Sequence, residues 1–226
     1  LLELPNTRIV DTPDTAEAIA RAIKVVRGGD ATALMKGKMQ TSELLRPAFS
    51  RDSGLRNGGL VHLLSAFRSR ARNEIIVSAD EGINRDPSPD QKLEMAYNCV
   101  EVLRALGVED PRIALLAASE TLPGQEKVRE TFEERASFSW GGMYSYDAAI
   151  SPESADIKGI NDGVAGQATG IIHPDINAAN LWRKGLSSEA GVTFASTAVG
   201  GLAPIVVTSR ADNTRSKVAS IFLALG

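Results

Sequence analysis

The segment PIVVTSRADN, residues 204–213, places a hydroxyl and a fixed positive charge where an apolar run ends. Ser209 and Arg210 follow a predicted buried strand and precede a predicted helix. Residues at such a turn lie at the mouth of a cleft in α/β folds, where helix amides attract anions. A serine hydroxyl and a planar guanidinium both suit phosphate oxygens. The alternative is that Ser209 caps the final helix and Arg210 is a surface charge.

A second segment, LMKGKMQTSELLRP, repeats this arrangement of a strand, basic residues, hydroxyls and a helix. It is not a nucleotide-binding P-loop, because the required upstream glycine is absent and a methionine stands where the magnesium-binding hydroxyl belongs. No G-x-G-x-x-G follows a predicted strand, which argues against a Rossmann-type nicotinamide site. Its candidate substrate-binding residues are Lys36, Gly37, Thr41, Ser42 and Arg46.

Short β-branched runs alternate with helical periods along the chain, which is typical of an α/β fold. In the last helix, apolar residues at spacings of three and four predict the face that packs back on the sheet. Those residues are Val218, Ile221, Phe222 and Leu225. The predicted strands are TRIVDTP, ATALMKG, LVHLLSAF, NEIIVSAD, RIALLAA, TGIIHP, TFASTAV and PIVVTS.

Composition excludes several classes of protein. With 226 residues, 43% of them hydrophobic, the chain can bury a sizeable core. One cysteine excludes a disulfide framework, and a net charge of −3 with 5% aromatic residues gives no support to nucleic-acid binding. No signal peptide or bilayer-length apolar run occurs, which predicts no membrane association and a cytoplasmic location. No repeated histidine or carboxylate spacing indicates a metal site.

The glycine-rich segment SGLRNGG is the predicted border between two lobes. If the chain leaves the first lobe there and returns near LAPIVVTS, the first lobe comprises residues 1–58 with 205–226. The second lobe then comprises residues 59–204. Ligands are expected in the cleft between them.

Several segments carry a family resemblance. In chain order they are MKGKMQTSELLRP, GVEDPRIALLAASET, YDAAISPESADIKGI, VAGQAT with HPDINAANL, and PIVVTSRADNTRSKVAS. Together they resemble the phosphotransacetylase and phosphotransbutyrylase family of phosphate acyltransferases, from about Arg8 onward, with TSRAD as the most specific part. The SRAD form looks more like the butyryl-type branch.

The resemblance implies transfer of an acyl group between coenzyme A and inorganic phosphate, with coenzyme A as a substrate and no further cofactor. It implies a two-lobed, three-layer α/β/α fold like that of isocitrate and isopropylmalate dehydrogenases. It also implies that Ser209, Arg210 and Arg46 face the phosphate and the acyl-CoA.

The sequence departs from the family pattern in three ways. Family members have a further strand–helix unit ahead of the point where this sequence starts. Where they read Asp-Gly-Pro, in a loop that borders the active site, this chain has Gly141, Gly142 and Met143. The acetyl-type branch carries an acidic residue, proposed as a base, at the position of Ser216. Asp212 is the nearest remaining carboxylate and is either a catalytic group or a helix cap.

Other polar residues have two interpretations. Asp80, Asn84 and Asp147 lie in segments that match the family and either line the cleft or cap turns. His62 alternates with apolar neighbours, as expected of a buried sheet residue, and Cys99 is predicted to be a buried structural thiol.

The predicted function is transfer of a short-chain acyl group between coenzyme A and phosphate. The alternative is a non-catalytic domain that senses acyl-CoA or acyl phosphate, favoured by the altered glycine loop and the absent amino-terminal unit. A homodimer is also predicted, from the resemblance and from the apolar segments LVHLLSAF and TFASTAVGGL, which could cover one another.

Overall fold

The computed structural model describes residues 6–120, 124–209 and 212–226. Strands and helices alternate along the chain, as the sequence predicts. The strands are β1 (Leu34–Met35), β2 (His62–Arg68), β3 (Ile75–Ala79), β4 (Arg112–Leu116), β5 (Ser139–Tyr144), β6 (Gly170–Ile172), β7 (Phe194–Val199) and β8 (Ile205–Val206). The helices are α1 (Thr15–Arg27), α2 (Thr41–Ala48), α3 (Pro89–Ala105), α4 (Glu126–Arg135), α5 (Tyr146–Ile150), α6 (Pro152–Ile157), α7 (Ile176–Ser188) and α8 (Thr214–Leu225).

The strands form one mixed sheet with the order β1-β8-β7-β2-β3-β6-β4-β5. β2 pairs antiparallel with β3 and with β7, and β7 pairs antiparallel with β8. The other neighbouring pairs are parallel: β1 with β8, β3 with β6, β6 with β4, and β4 with β5. The sheet continues across the predicted lobe border, since β8 pairs with β7. The division into lobes stays a prediction.

Helices cover both faces of this sheet. Successive residues of a strand point to opposite faces, and in β4 the residues Ile113 and Leu115 join one buried cluster while Ala114 and Leu116 join another. The first cluster includes residues of α3 and α4, and the second includes residues of α5 and α6. This arrangement confirms the predicted three-layer α/β/α fold.

A third buried cluster fixes α1 and α2 against β8. Ile19 and Ile23 of α1 and Leu44 and Leu45 of α2 pack there with Ile205. Apolar burial of this kind contributes most of the stability of a short helix. The cluster therefore sets where the start of α2 lies relative to the end of β8.

The amino-terminal strand predicted for TRIVDTP is wrong. The described part of that segment adopts neither strand nor helix, and Ile9 and Val10 are exposed. A β-branched run forms a strand only where neighbouring strands offer packing and hydrogen bonds. The nearby edge strand β1 pairs with β8.

The predicted buried face of α8 is also wrong. Phe222 is 72% exposed, and the three other predicted residues are exposed as well, whereas Ser216 and Ser220 are buried. Ser220 Oγ accepts the backbone N–H of Ser196 in β7 at 2.8 Å and donates to the Ser216 carbonyl at 2.7 Å. A polar contact with the sheet therefore orients this helix, which the apolar spacing cannot reveal.

The two segments predicted to meet across a dimer meet within one chain instead. LVHLLSAF contains all but the last residue of β2 and TFASTAVGGL contains β7, and the two strands pair from His62↔Val199 to Phe67↔Phe194. Their apolar side chains are largely buried. The basis for placing a dimer interface on these segments is therefore removed.

Gly200 lets the chain turn closely after β7. Its φ is +91°, in the left-handed region, and a Cβ there would overlap the Leu60 carbonyl and lie 2.9 Å from Val61 Cα. Only glycine meets both requirements without a shift of the backbone. The turn leads the chain from β7 towards β8.

Candidate active site

A cavity of about 600 Å³ opens between the start of α2, the turn after β3 and the end of β8. It unites five residues that the sequence predicted from two distant segments: Lys36, Thr41, Ser42, Arg46 and Ser209. Met39, Gln40, Leu45, Gly82, Ile83 and Thr208 complete its lining. Two grooves of about 680 and 750 Å³ elsewhere are mainly apolar.

The start of α2 brings its hydroxyls and its arginine to this cavity. Gln40 is the N-cap, and its backbone N–H donates to Glu43 Oε2 at 3.0 Å in a capping box. Ser42 and Arg46 are four residues apart and therefore share one face of the helix. The hydroxyls of Thr41 and Ser42 are not needed as the cap.

Lys36 lies directly after β1 and is buried. Its Nζ donates to the Met39 carbonyl at 3.0 Å, and the Gly37 carbonyl accepts the Met39 N–H at 3.0 Å. These bonds close a turn that holds the ammonium group beside the first turn of α2. Gly37 shapes this turn and is not among the residues that line the cavity.

Ser209 lies in a closed turn between β8 and α8. Its backbone N–H donates to Asp212 Oδ2 at 2.7 Å, and the Asp212 N–H donates to the Ser209 carbonyl at 3.1 Å. Asn213 is the N-cap of α8 and accepts the Ser216 N–H at 2.9 Å, so neither Ser209 nor Asp212 has the alternative role of capping that helix. Arg210, predicted to act beside Ser209, lies outside the described residues.

Asp80 and Asn84 organise the turn after β3. Asp80 is buried and accepts four backbone N–H groups, those of Leu63, Gly82, Ile83 and Asn84, at 2.8 to 3.2 Å. Asn84 Nδ2 donates to Asp80 Oδ2 and to the Val61 carbonyl. Both act by shaping the turn that brings Gly82 and Ile83 to the cavity, and neither lines it.

Asp147 and the glycine pair lie at the other edge of the sheet. Asp147 is in α5, which follows β5, and its Oδ1 is 3.2 Å from Lys158 Nζ. Gly141 and Gly142, expected in a loop, lie within β5. β5 and β1 are the opposite edge strands, so the structure does not bring Asp147 or this pair to the cavity.

The charge of the cavity favours anions. Two of the residues that line it, Lys36 and Arg46, are cationic, and none of its described lining residues carries a carboxylate. The first-turn amides of α2 add partial positive charge. The site is thus locally positive within a chain of net charge −3.

A smaller cavity of about 210 Å³ adjoins this one and shares Thr41, Gly82, Ile83, Thr208 and Ser209 with it. It adds Glu81, Arg183 and Lys184, which the sequence did not single out. The sequence signal available for Arg183 and Lys184 was their place two and three residues after HPDINAANL, a segment that carries the family resemblance. Glu81 gave none, because a carboxylate between Asp80 and Gly82 is also what an exposed turn would carry.

Comparison with known proteins decides the family. Residues 7–225 match the family described as phosphate acetyl/butaryl transferase. The chain belongs to this family.

Two relatives and one solved structure support this phosphate acyltransferase membership. A phosphate acetyltransferase of Rhizobium meliloti is 33% identical over 234 residues, 99% of this chain and 73% of that protein. A phosphate butyryltransferase of Clostridium beijerinckii is 32% identical over 232 residues, which cover 99% of this chain and 77% of that protein. A branched-chain phosphotransacylase from Enterococcus faecalis V583 superposes with a TM-score of 0.86 at 28% identity, covering 96% of this chain and 80% of that one.

The dehydrogenase-like part of the fold prediction is supported by a more distant structure. A 4-hydroxythreonine-4-phosphate dehydrogenase from Klebsiella pneumoniae has a TM-score of 0.56 at 12% identity, covering 93% of this chain and 69% of that one. At this identity the likeness concerns the fold alone.

Membership of the phosphate acyltransferases supports an enzyme and not the non-catalytic sensor. Across residues 6–120, 124–209 and 212–226, no three His, Cys, Asp or Glu side chains converge as metal ligands. In the same part of the chain, no helix has the length and apolar character needed to cross a bilayer. Cys99 is fully buried, as predicted, and burial raises its pKa.

Proposed function

We propose that this chain moves a short-chain acyl group between coenzyme A and inorganic phosphate in the cavity between α2 and the Ser209 turn. One observation carries the proposal. Lys36, Arg46 and Ser209, from distant parts of the sequence, line a single cavity whose described lining includes no carboxylate. Both substrates are anions that such a site would attract.

The cations and the start of α2 are the proposed phosphate-binding groups. Arg46 offers a bidentate fork, and Lys36 offers a point charge held in place by its bond to the Met39 carbonyl. Thr41 and Ser42 add hydroxyls at the positive end of the helix. The exposed position of Arg46 suits the diphosphate of coenzyme A as well as free phosphate.

The reaction needs no protein nucleophile. A phosphate oxygen attacks the thioester carbonyl carbon, the carbonyl oxygen becomes an oxyanion, and the C–S bond breaks to release coenzyme A as its thiolate, which then takes a proton. The Ser209 hydroxyl would donate to the oxyanion, and Arg210 would hold the attacking phosphate, as the family resemblance implies. One such donor contributes on the order of a hundredfold in rate.

The apolar part of the lining suits a short acyl chain. Met39, Leu45 and Ile83 offer the only large apolar side chains among the described residues of this cavity. Methionine adapts its shape to different partners, which fits a site that accepts more than one short acyl group. Asp80 and Asn84 contribute indirectly, because they hold the turn that carries Ile83.

The homodimer, the cytoplasmic location and the absence of a cofactor beyond coenzyme A stay predictions. For the homodimer, the exposed residues Val218, Ile221, Phe222 and Leu225 of α8 offer an apolar face that a second copy would cover. Apolar faces of this kind are common at homodimer interfaces.

Turnover with a panel of acyl-CoA thioesters tests the proposed function. Release of free thiol from acetyl-CoA, butyryl-CoA and a branched-chain acyl-CoA is measured with and without inorganic phosphate, and the acyl phosphate is trapped as a hydroxamate. Phosphate-dependent release with matching hydroxamate supports transfer. Acyl-CoA binding without release would support the sensor instead.

A further inference from the structure

Polar side chains connect a buried carboxyl group to the Ser209 turn, beneath the two adjoining cavities. Glu81, after β3, is 1% exposed, and Arg183, in α7, is 8% exposed. A buried ionisable group is costly unless it is paired and hydrogen-bonded. The hydrogen bonds of Glu81 and Arg183 therefore indicate which neighbouring groups each of them orients.

Two serines join Arg183 to Glu81. Arg183 Nη2 donates to Ser196 Oγ at 3.1 Å, the hydroxyl oxygens of Ser196 and Ser65 are 2.8 Å apart, and Ser65 Oγ donates to Glu81 Oε2 at 2.9 Å. A guanidinium only donates hydrogen bonds, and a hydroxyl has one proton. With the Glu81 carboxyl group as the acceptor of the Ser65 proton, Ser196 donates to Ser65, and every bond in the chain points from the guanidinium to the carboxyl group.

Arg183 also faces the Ser209 turn. Its Nη2 lies 3.9 Å from Asp212 Oδ2, the same oxygen that accepts the Ser209 N–H at 2.7 Å. The side chains of Arg183 and Asp212 are only 10% and 12% exposed, so water and salt screen this pair weakly. The guanidinium lies over the ring of Phe194, with Arg183 Cζ 5.1 Å from the centre of the ring. The arginine is thus held from three sides beside the carboxylate that fixes Ser209.

We propose that Arg183 is a positioning residue for the acyl transfer: it holds the Asp212 carboxylate in the orientation that places Ser209 at the cavity. Its effect on catalysis rests on the proposed function, whereas its effect on the turn rests on the geometry alone. Asp212 acts here through the Ser209 N–H. A misplacement of the reacting geometry by about 1 Å costs on the order of a hundredfold in rate.

Kinetics of Arg183→Met test the proposal. This change removes the charge and keeps an unbranched apolar chain. We expect kcat to fall at least about tenfold while KM for acyl-CoA and phosphate stays within about twofold, as for an interaction used in the transition state. Arg183→Lys should retain part of kcat, because the charge remains but the fork is lost.

Arg72→Met is the matched control. Arg72 is also a largely buried arginine, with a side chain 11% exposed, and it donates to the carbonyls of Gly166 and Ala168 at the far end of β3. Its loss should lower stability without changing kcat. In an Asp212→Asn background, Arg183→Met should lower kcat by a much smaller factor than it does in the wild type, because the effects of positions that act through one another are not additive.

Hydrogen exchange of the Ser209 backbone amide tests the positioning independently of activity. Arg183→Met should speed this exchange at least about tenfold, and Arg72→Met should leave it near the wild-type rate. Arg183→Lys replaces Arg183→Met in both assays if the latter does not fold. Unchanged exchange, or equal losses of kcat in the Arg183 and Arg72 variants, would overturn the proposal. An inactive wild type with the expected exchange would instead count against the proposed function alone.

Discussion

Glu81→Gln should remove a pH dependence from the stability of the fold. Burial raises the pKa of Glu81 to about 7, and the nearby Asp80 charge adds to the rise. The Ser78 hydroxyl, the Arg183 charge and the Ser65 hydroxyl act in the opposite direction. His173 also lies close, with Nε2 3.2 Å from Ser78 Oγ, and burial lowers its pKa to about 3, so it is neutral near pH 7.

The magnitude follows from the two pKa values of Glu81. The folded chain keeps the proton up to about pH 7, whereas the ordinary value is 4.5. The protonated form therefore contributes stability that is complete below pH 4.5 and is lost as the pH rises to 7 and beyond. The full effect is about 3 kcal/mol, of which about 2 kcal/mol is lost between pH 5.5 and 8.

Urea unfolding followed by tryptophan fluorescence measures this effect. The free energy of unfolding is determined at pH 5.5 and pH 8 for the wild type, for Glu81→Gln, and for Glu130→Gln as an exposed carboxylate control on α4. The stability of Glu81→Gln relative to the wild type should rise by about 2 kcal/mol from pH 5.5 to pH 8. For Glu130→Gln the corresponding difference should stay constant.

A constant difference between Glu81→Gln and the wild type across this pH range would refute the reasoning. It would mean that Glu81 ionises in the folded chain much as it does in the unfolded one. The other titrating groups are shared by the two proteins, so their own contributions largely cancel in the comparison.

Three further predictions concern backbone, substrate binding and assembly. Gly200→Ala should lower the free energy of unfolding, measured in urea, by more than about 2 kcal/mol, because the added Cβ overlaps the backbone before β2. Gly58 also has a positive φ but open space around it, so Gly58→Ala should lower the free energy of unfolding by less. Equal losses in the two variants would contradict this. Arg46→Ala should raise KM for phosphate or acyl-CoA about tenfold in steady-state assays, whereas the exposed Arg51→Ala should not; unchanged KM would count against phosphate binding. Light scattering should give the mass of two chains for the wild type and of one for Phe222→Asp, and a monomeric wild type would exclude the dimer.

The local part of the site could be predicted from the sequence. Lys36 and Ser209 each lie at a strand-to-helix turn, and Arg46 lies in the helix that follows the first of these turns. Such turns are set by residues close together in sequence. Their convergence in one cavity depends on β1 and β8 pairing in parallel, which the local pattern does not determine. The family resemblance implied only that Arg46 and Ser209 face the same substrates.

Other features depend on contacts between distant segments. By residue type, Asp80 could either line the cleft or cap a turn. Only the four backbone N–H groups that it accepts show that it caps the turn. The face of α8 depends on the bond between Ser220 and the Ser196 N–H, which opposes the apolar spacing. Glu81 and Arg183 are far apart in sequence, and the serines between them come from two further strands.

The turnover of Ser209→Ala tests most directly whether the cavity between α2 and the Ser209 turn carries out the acyl transfer. Phosphate-dependent thiol release is measured at saturating acyl-CoA for the wild type, for Ser209→Ala, and for Ser50→Ala as an exposed serine that does not line this cavity. We predict that kcat of Ser209→Ala falls by on the order of a hundredfold with KM little changed, while Ser50→Ala matches the wild type. A kcat of Ser209→Ala within twofold of the wild type would contradict the proposed site.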